Sequence, residues 1–239
     1  MTAVSRQRLV FLLRKQPHLS REQFQRYWWD HHAPLVRDRA EVLGIRRYQQ
    51  VHTVQHLGPE GADEIDGVAE LWVDGPAPTG TREQVAAAGL ELLEDERTFI
   101  DLARSPIFLG AEHHLQAGPH EGLRLTGVVM RQPTVTRETF QDYWVGHHGP
   151  TALARPDAFG IGEYYQVHAP VDAEHNPLAV HRGAPPAPEG IAEAWLSPPT
   201  LAAAEADALR AALRETDTPY FDYSRTVRFM GEVRPVFER

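Results

Sequence analysis

The sequence predicts an α+β fold in which two similar halves of one chain, each in the order β-α-β-β-α-β, close a common barrel. The first observation behind this prediction is a duplication. Residues 16–52 recur as residues 132–168 at a constant spacing of 116, and 18 of the 38 positions from 15 to 52 are identical in the two copies. The second observation is that the residues after each copy show the same order of apolar runs and turns. Two copies of one pattern in a chain share one fold.

A turn at Pro17 separates the first predicted strand from the first predicted helix. Residues 8–14 form a short apolar run bounded by charged residues, which is typical of a buried strand. A helix is expected from Ser20, because Ser20 and Gln23 have the form of a capping box. Residues at the spacing i, i+3, i+4, i+7 and i+8 lie on one continuous face of this helix, and they are Phe24, Tyr27, Trp28, His31 and His32.

Pro34 is expected to interrupt this helix. Proline has no backbone N–H and disfavours helical geometry at the residue before it. The helix is therefore predicted to break at the paired His31 and His32 and to restart with Pro34 at its first position. Gly44 is predicted to end the second piece.

Three strands and a second helix complete each predicted half. Residues 45–53 alternate in a period of two, which predicts a strand. The matching runs GVAELWV and GIAEAWL predict third strands at 67–73 and 190–196. Segments rich in Ala, Leu and Glu predict helices at 81–94 and 199–214, and last strands are expected at 106–114 and 225–233. The loop before the third strand is seven residues longer in the second half.

The chain of 239 residues is long enough for two ordinary domains. The first unit is predicted at 1–115, the linker at 116–122 and the second unit at 123–239. A four-stranded sheet of this order leaves one face uncovered by its own helices, so two copies can bury those faces against each other in a barrel. A ligand cavity would then lie between the sheets, or between a sheet and its helices.

Composition favours a soluble, cytoplasmic protein without a nucleic acid or membrane partner, and the predicted cavity favours a small-molecule ligand. Hydrophobic residues make up 42% and charged residues 24%, no apolar run is long enough to span a membrane, and the first eight residues lack a signal-peptide pattern. The absence of cysteine excludes disulfides and thiol chemistry. A net charge of −9 argues against a phosphate backbone as partner. The 13 histidines direct attention to imidazole chemistry.

The residues retained in both copies are rich in Tyr, Trp, Gln and His, so the duplicated stretch is predicted to carry a site as well as a core. His31 could face a cavity as a general acid or base. Alternatively, it could hydrogen-bond the carbonyls freed at the helix break. Tyr48, Gln50 and His52 share one face of a strand, where buried polar groups need partners that a ligand could supply. The alternative is a strand end that emerges into solvent.

Glu70 and Glu193 lie between apolar residues of the third strands. Burial would raise the pKa of such a carboxyl and make it a general acid or base, unless it forms an ion pair with an arginine such as Arg14 or Arg131. The predicted catalytic residues are His31, Tyr48, Glu70, His147, Tyr164 and Glu193. The predicted substrate-binding residues are Tyr27, Trp28, Gln50, His52, Trp72, Tyr143, Trp144, Gln166 and His168.

The predicted site has no metal and no cofactor. His31, His52 and Glu70 could in principle supply two imidazoles and a carboxylate to a metal, and His31 or His52 could hold a haem. The sequence contains no close-spaced metal signature such as HExxH and no G-x-S-x-G nucleophile elbow.

Five short stretches together resemble the EthD-type proteins, named for ethyl tert-butyl ether degradation. They are RKQP at 14–17, SREQF at 20–24, Tyr27-Trp28, HHAPLV at 31–36 and GIRRY at 44–48. This family is a branch of the dimeric α+β barrel superfamily, and the resemblance covers both halves, at 8–115 and 124–235. It implies ferredoxin-like units that normally pair as two subunits, here carried on one chain. Gly162 and Glu163 stand where the first copy has Arg46 and Arg47, so the two sites are expected to differ.

Two classes of function are open. The first is a cofactor-independent enzyme of the lyase or isomerase type, which eliminates from, decarboxylates or isomerises a largely apolar aromatic or carbonyl-bearing metabolite. The second is a non-catalytic protein that binds a small molecule for an oxygenase or degradation pathway. The resemblance implies small-molecule metabolism in either case, and two such chains could pair as a homodimer.

Overall fold

Eight strands of the described chain form one closed barrel. The computed structural model describes residues 6–58, 64–73, 78–172, 176–196, 201 and 203–239. The strands are β1 (Arg6–Leu13), β2 (Arg47–His56), β3 (Gly67–Trp72), β4 (Ile107–Gln116), β5 (Arg124–Val129), β6 (Ile161–His168), β7 (Gly190–Leu196) and β8 (Val227–Glu238).

All neighbouring strands are antiparallel, in the closed order β1-β3-β2-β8-β5-β7-β6-β4. Each half contributes four adjacent strands, and the halves join where β2 pairs with β8 and β4 pairs with β6. The α+β class and the barrel closed by two copies within one chain are therefore confirmed. Closure leaves no barrel strand with an open edge.

The helices pack on the outside of the barrel. They are α1 (Arg21–Tyr27), α2 (Ala33–Leu43), α3 (Arg82–Phe99), α4 (Arg137–Tyr143), α5 (Gly149–Leu153), α6 (Pro156–Phe159), α7 (Pro177–Arg182) and α8 (Ala203–Asp217). The predicted capping box at Ser20 and Gln23 is present. Of the helix predicted at 199–214, residues 199, 200 and 202 lie outside the described residues.

The predicted helix break at the His pair is wrong. Residues Trp28–His32 and Trp144–His148 form a π-helical turn that joins the helices before and after it without a gap. The N–H of Ala33 donates to the carbonyl of Trp28, five residues back. A π turn shifts the hydrogen-bond register by one residue, so the helix can pass the proline without breaking. Gly44 ends α2 with a φ of +70°, as predicted.

Apolar side chains fill two kinds of layer. The barrel interior is packed by residues such as Val10, Leu12, Val68, Phe108 and Phe229. The opposite face of the sheet packs against the helices around Phe24, Trp28 and Phe99 in the first half, and around Phe140, Trp144 and Phe221 in the second. Strand residues of alternate parity thus serve two cores. None of the described helices has the length and apolarity needed to cross a membrane.

The longer loop of the second half reaches across to the first half. Its helix α7 is held there by Arg182, which forms two hydrogen bonds with Glu96 at 2.7 and 2.8 Å, and by Asn176, whose side chain donates to the carbonyl of Ile107 at 2.7 Å. This crossing breaks the symmetry of the two copies. It also brings Pro185 and Pro186 to one end of the barrel.

Gly190 at the start of β7 is required by the close approach of its neighbours. Its φ is +152°, and a Cβ there would lie 2.1 Å from the carbonyl oxygen of Val167 and 3.0 Å from the ring of Trp144. We expect Gly190→Ala to lower the free energy of unfolding by about 3 kcal/mol, through backbone strain and overpacking. Urea denaturation measures this change. Gly146→Ala is the control, since nothing lies within 4 Å of its Cβ position, and an equal loss in both variants would contradict the explanation.

Candidate functional site

The residues retained in both copies meet between the helices and the sheet. In the first half, Gln50 Nε2 donates to the carbonyl oxygen of Trp28 at 3.0 Å and to the Tyr48 hydroxyl at 2.8 Å. The Trp28 Nε1–H donates to the same hydroxyl at 2.9 Å. His52 Nε2 lies 2.7 Å from Gln50 Oε1, and its ring stacks on Trp28 at 4.9 Å between centroids. The network thus ties the π turn to the sheet.

The second half repeats this network. Gln166 Nε2 donates to the carbonyl oxygen of Trp144 and to the Tyr164 hydroxyl, both at 3.2 Å. His168 Nε2 lies 2.9 Å from Gln166 Oε1, and its ring stacks on Trp144 at 4.4 Å. The same four residue types therefore make the same contacts twice, except that Trp144 Nε1 has no hydrogen-bond partner among the described residues.

These networks are closed to solvent. Tyr48, Gln50 and His52 are at most 1% exposed, and Tyr164, Gln166 and His168 at most 5%. Burial raises the pKa of Tyr164 to about 12 and lowers the pKa of both His52 and His168 to about 3. Imidazoles with so low a pKa are poorly matched to proton transfer near pH 7. His52 does not emerge into solvent, which corrects the alternative considered for the strand end.

The His pairs divide between the surface and a buried carboxylate. His31 and His147 are exposed, each against a tyrosine ring at 5.0 Å. His32 Nδ1 lies 2.7 Å from Asp95, which also accepts a hydrogen bond from Tyr27 at 2.6 Å. The catalytic role of His31 and His147 stays a prediction.

The same carboxylate site recurs in the second half with an additional donor. Asp217 is fully buried and accepts hydrogen bonds from Tyr143 at 2.9 Å and from Tyr223 at 2.8 Å, while His148 Nδ1 lies 2.8 Å away. The sequence prediction missed Asp95 and Asp217. Their spacing of 122, next to the spacing of 123 between Glu70 and Glu193, is the signal that could have found them.

The two glutamates of the third strands lie inside the barrel as ion-pair partners. Arg124 contacts Glu70 and Glu193 at 2.7 Å each, and Arg8 contacts them at 3.2 and 2.6 Å. The predicted alternative of an ion pair is therefore present, but with Arg8 and Arg124 in place of Arg14 and Arg131. Arg8 and Arg124 are separated by 116 residues, the spacing of the repeat. Trp72 lies beside this cluster and donates to Glu112 at 2.9 Å.

The four charged side chains of this central cluster (Arg8, Glu70, Arg124 and Glu193) are at most 3% exposed. The guanidinium groups hold the pKa of Glu70 well below its usual range. Burial, with Glu70 alongside, raises the pKa of Glu193. Each carboxylate of this cluster lies within ion-pair distance of both guanidinium groups, and the cluster is buried away from solvent.

The three residues considered as metal ligands, His31, His52 and Glu70, do not come together. His31 is on the outer surface, His52 is between helix and sheet, and Glu70 is inside the barrel. Among the residues described, no group of three or more His, Asp or Glu side chains has a geometry that could hold a metal ion. The Nε2 atom of His52, which a haem iron would need, is occupied by Gln50.

An open cleft of about 920 Å³ lies at the end of the barrel opposite the central cluster. Its floor is apolar and consists of the end of the barrel core, with Leu12, Ile65 and Val128. The prolines of the crossing loop, Pro185 and Pro186, form one wall. This volume lies within the range of small-molecule pockets.

The titratable residues of the cleft come from outside the duplicated stretch. His56, on its wall, has Nε2 3.5 Å from the carboxylate of Glu64, and only 14% of its side chain is exposed. Burial lowers the pKa of His56 although Glu64 opposes the shift. Tyr223 also lines the cleft and connects it through Asp217 to Tyr143 and His148. Sequence reasoning missed His56, Glu64 and Tyr223, because it followed the residues that the two copies share.

An eight-stranded barrel closed by two homologous halves, with helices on its outer faces, defines the chain as a tandem α+β barrel protein. The EthD domain matches residues 16–103 and again residues 132–218. The chain therefore belongs to the EthD family and carries two copies of its domain, as the sequence predicted.

Among solved structures, the chain is similar to a suggested monooxygenase from Lactobacillus acidophilus NCFM, with 9% identity and a TM-score of 0.43 over 98% of this chain and 95% of that one. It is also similar to a suggested chlorite dismutase, with 11% identity and a TM-score of 0.44 over 96% of this chain and 95% of that one. No curated protein sequence matches the chain.

Proposed function

We propose that the chain is a small-molecule enzyme that acts without a cofactor in the cleft at the barrel end, with His56 as the proton-transferring group. The observation that carries this proposal is the pairing of His56 with Glu64 on the wall of an apolar cleft. The substrate class is a largely apolar, carbonyl-bearing metabolite, and the reaction is an elimination, decarboxylation or isomerisation.

The geometry of His56 supports a role as general base. Nε2 lies 3.5 Å from the carboxylate of Glu64 and makes no hydrogen bond among the described residues, so Nδ1 is the ring nitrogen that we propose faces a substrate. Because its pKa is lowered, the imidazole is neutral at pH 7 and can accept a proton from a carbon beside a carbonyl group. Charge then develops on the carbonyl oxygen. The same proton returns to another carbon in an isomerisation, whereas a leaving group departs with the electron pair in an elimination.

Residues of the duplicated stretch hold the elements that carry the cleft residues, but those that the structure describes do not line the cleft themselves. Tyr143 and His148 hold Asp217, and Asp217 holds the hydroxyl of Tyr223, whose ring faces the cleft. We infer that this series of hydrogen bonds positions the wall of the cleft. Tyr48, Gln50 and their counterparts in the second half keep the helices in register with the sheet, which places β2 and therefore His56.

The strand order of the barrel supports a further part of the proposal, which is that each half is a ferredoxin-like unit. Within the first half the strands lie in the order β4-β1-β3-β2, and within the second half in the order β8-β5-β7-β6. The two units then correspond to two subunits of a dimeric barrel joined by the segment 116–122.

We expect His56→Gln to lower the proton-transfer rate at least about 100-fold. The measurement is deuterium exchange in D₂O, followed by proton NMR, at the carbon beside the carbonyl of aromatic ketones and β-keto acids. His18→Gln is the control, because His18 is exposed and is not among the predicted site residues. Equal exchange by His56→Gln and the unmodified protein would contradict the assignment of His56.

The second candidate is a binding protein for an oxygenase or degradation pathway. It is favoured by the hydroxyl of Tyr223, which already donates to Asp217, and by Arg14, which donates to the carbonyl of Arg104. Native mass spectrometry of the purified protein separates the two candidates when combined with the exchange assay. A retained ligand without any exchange supports the binding protein.

A further inference from the structure

We infer that the molecule taken by this cleft is an organic acid, with its carboxylate at Arg225 and Arg228 and its apolar body on the barrel floor. This inference rests on the proposed function, since it names the substrate class of the same cleft. It goes beyond that proposal because proton transfer beside a carbonyl does not by itself require a negatively charged substrate.

The charge of the cleft is opposite to that of the chain. Among the described residues, four arginines line the cleft (Arg14, Arg104, Arg225 and Arg228), against a single carboxylate, that of Glu64. The whole chain has a formal net charge of −9. A cationic cleft on an acidic protein concentrates anions at that one place.

Arg225 and Arg228 differ from the other arginines in how they are paired. Arg225 is 56% exposed in its side chain and lies 4.0 Å from Asp222, at the outer limit of an ion pair. Arg228 is exposed and has no ion pair in the part of the chain that the structure describes. By contrast, Arg21 contacts Glu64 at 2.5 Å and Arg137 contacts Glu189 at 2.8 Å.

Asp222 holds Arg225 only weakly, because its Oδ2 lies 4.0 Å from the guanidinium while its hydrogen bonds go to Ser224. Its Oδ1 accepts hydrogen bonds from the Ser224 backbone N–H at 3.1 Å and from the Ser224 hydroxyl at 2.6 Å. An arginine guanidinium binds a carboxylate through two parallel hydrogen bonds, which fixes the orientation of the bound acid. The carboxylate would thus be held at the rim.

The floor of the cleft matches the other end of such a molecule. Leu57, Met130 and Val227 in the lining offer exposed or partly exposed apolar side chains, whereas Leu12 and Ile65 are buried. A molecule with an acidic head and an apolar or aromatic body therefore satisfies both parts of the cleft. A neutral molecule of the same shape would leave the guanidinium groups without a partner.

Isothermal titration calorimetry of the full chain with 2-naphthoate and 2-naphthamide tests this inference, because the two probes share their shape and differ in charge. We expect the carboxylate to bind at least 10-fold more tightly than the amide. In the variant with both Arg225→Gln and Arg228→Gln, this preference should fall below 3-fold. Arg210→Gln is the matched control, since it removes an exposed arginine of α8 that pairs with Asp207, away from the cleft.

Ala103→Trp places a bulky ring at an exposed position of the cleft lining, and it should prevent the binding of both probes. Equal affinities for the two probes, both lost in Ala103→Trp, would overturn the inference of an acid and leave the proposed cleft intact. A carboxylate preference that persists in the double variant would also overturn it. If neither probe binds the unmodified chain, the cleft itself is refuted as a site for apolar molecules, and the inference falls with it.

Discussion

Arg124→Met is expected to lower the free energy of unfolding by about 3–5 kcal/mol, because it breaks a buried ion pair while leaving its partners in place. Arg124 is fully buried between Glu70 and Glu193, at 2.7 Å from each. Without this guanidinium, Arg8 alone would face both carboxylates. Methionine has a similar length and leaves little void, so the loss reports the missing charge rather than a cavity.

The effect of Arg124→Met should depend on pH. Removing a cation raises the pKa of both carboxyls in the folded state, above the value in the unfolded state. A group whose folded pKa is raised stabilises the fold at low pH and loses that contribution as the pH rises through the folded pKa. The difference between the variant and the unmodified chain should therefore be larger at pH 8 than at pH 5.

Urea denaturation at these two pH values measures both effects. The control is Arg210→Met on the surface of α8, which is expected to change stability by less than about 0.5 kcal/mol. Adding Glu193→Leu to Arg124→Met should recover part of the loss, since it removes one of the carboxylates that Arg8 would otherwise face without Arg124. A loss in Arg124→Met no larger than that of the surface control would show that the central cluster does not stabilise the barrel.

The duplication was sufficient to predict the α+β class and a barrel closed by two copies within one chain. Identity between residues 16–52 and 132–168 reports constraints that both halves share, and the shared constraint here is packing. One hydrogen-bonded network joins Trp28, Tyr48, Gln50 and His52. The hydrogen bonds of its Gln and His side chains recur in the second half. Patterns of apolar residues could not reveal the π turn, because its Trp28 carbonyl accepts a hydrogen bond from the side chain of Gln50 on a strand distant in sequence.

The cleft could not be predicted in the same way. It is built once, at one end of the barrel, from loops and strand ends that differ between the halves. His56 and Glu64 follow the first copy, whereas Tyr223 and Arg225 follow the second. A search for residues retained in both copies passes over each of them. The longer loop of the second half was visible in the sequence, but its crossing to Glu96 is a tertiary contact that no local pattern indicates.

Trp28→Ala is expected to lower the free energy of unfolding by about 3–5 kcal/mol. The Trp28 ring is fully buried, lies against Phe24 at 5.6 Å and stacks on His52 at 4.9 Å. Its removal opens a cavity between helix and sheet and leaves the Tyr48 hydroxyl without one of its donors. Trp144→Ala should have a similar effect in the second half, because Trp144 is buried and stacked in the same way.

Replacement by phenylalanine separates the hydrogen bond from the packing. Trp28 Nε1 donates to Tyr48 at 2.9 Å, whereas Trp144 Nε1 has no hydrogen-bond partner among the described residues. Trp28→Phe should therefore cost about 1 kcal/mol more than Trp144→Phe in urea denaturation. Equal losses would mean that the indole hydrogen bond does not contribute. In that case the conserved contact between the two copies is the stacking on His52 and His168, and the polar network serves to orient the π turn rather than to stabilise it.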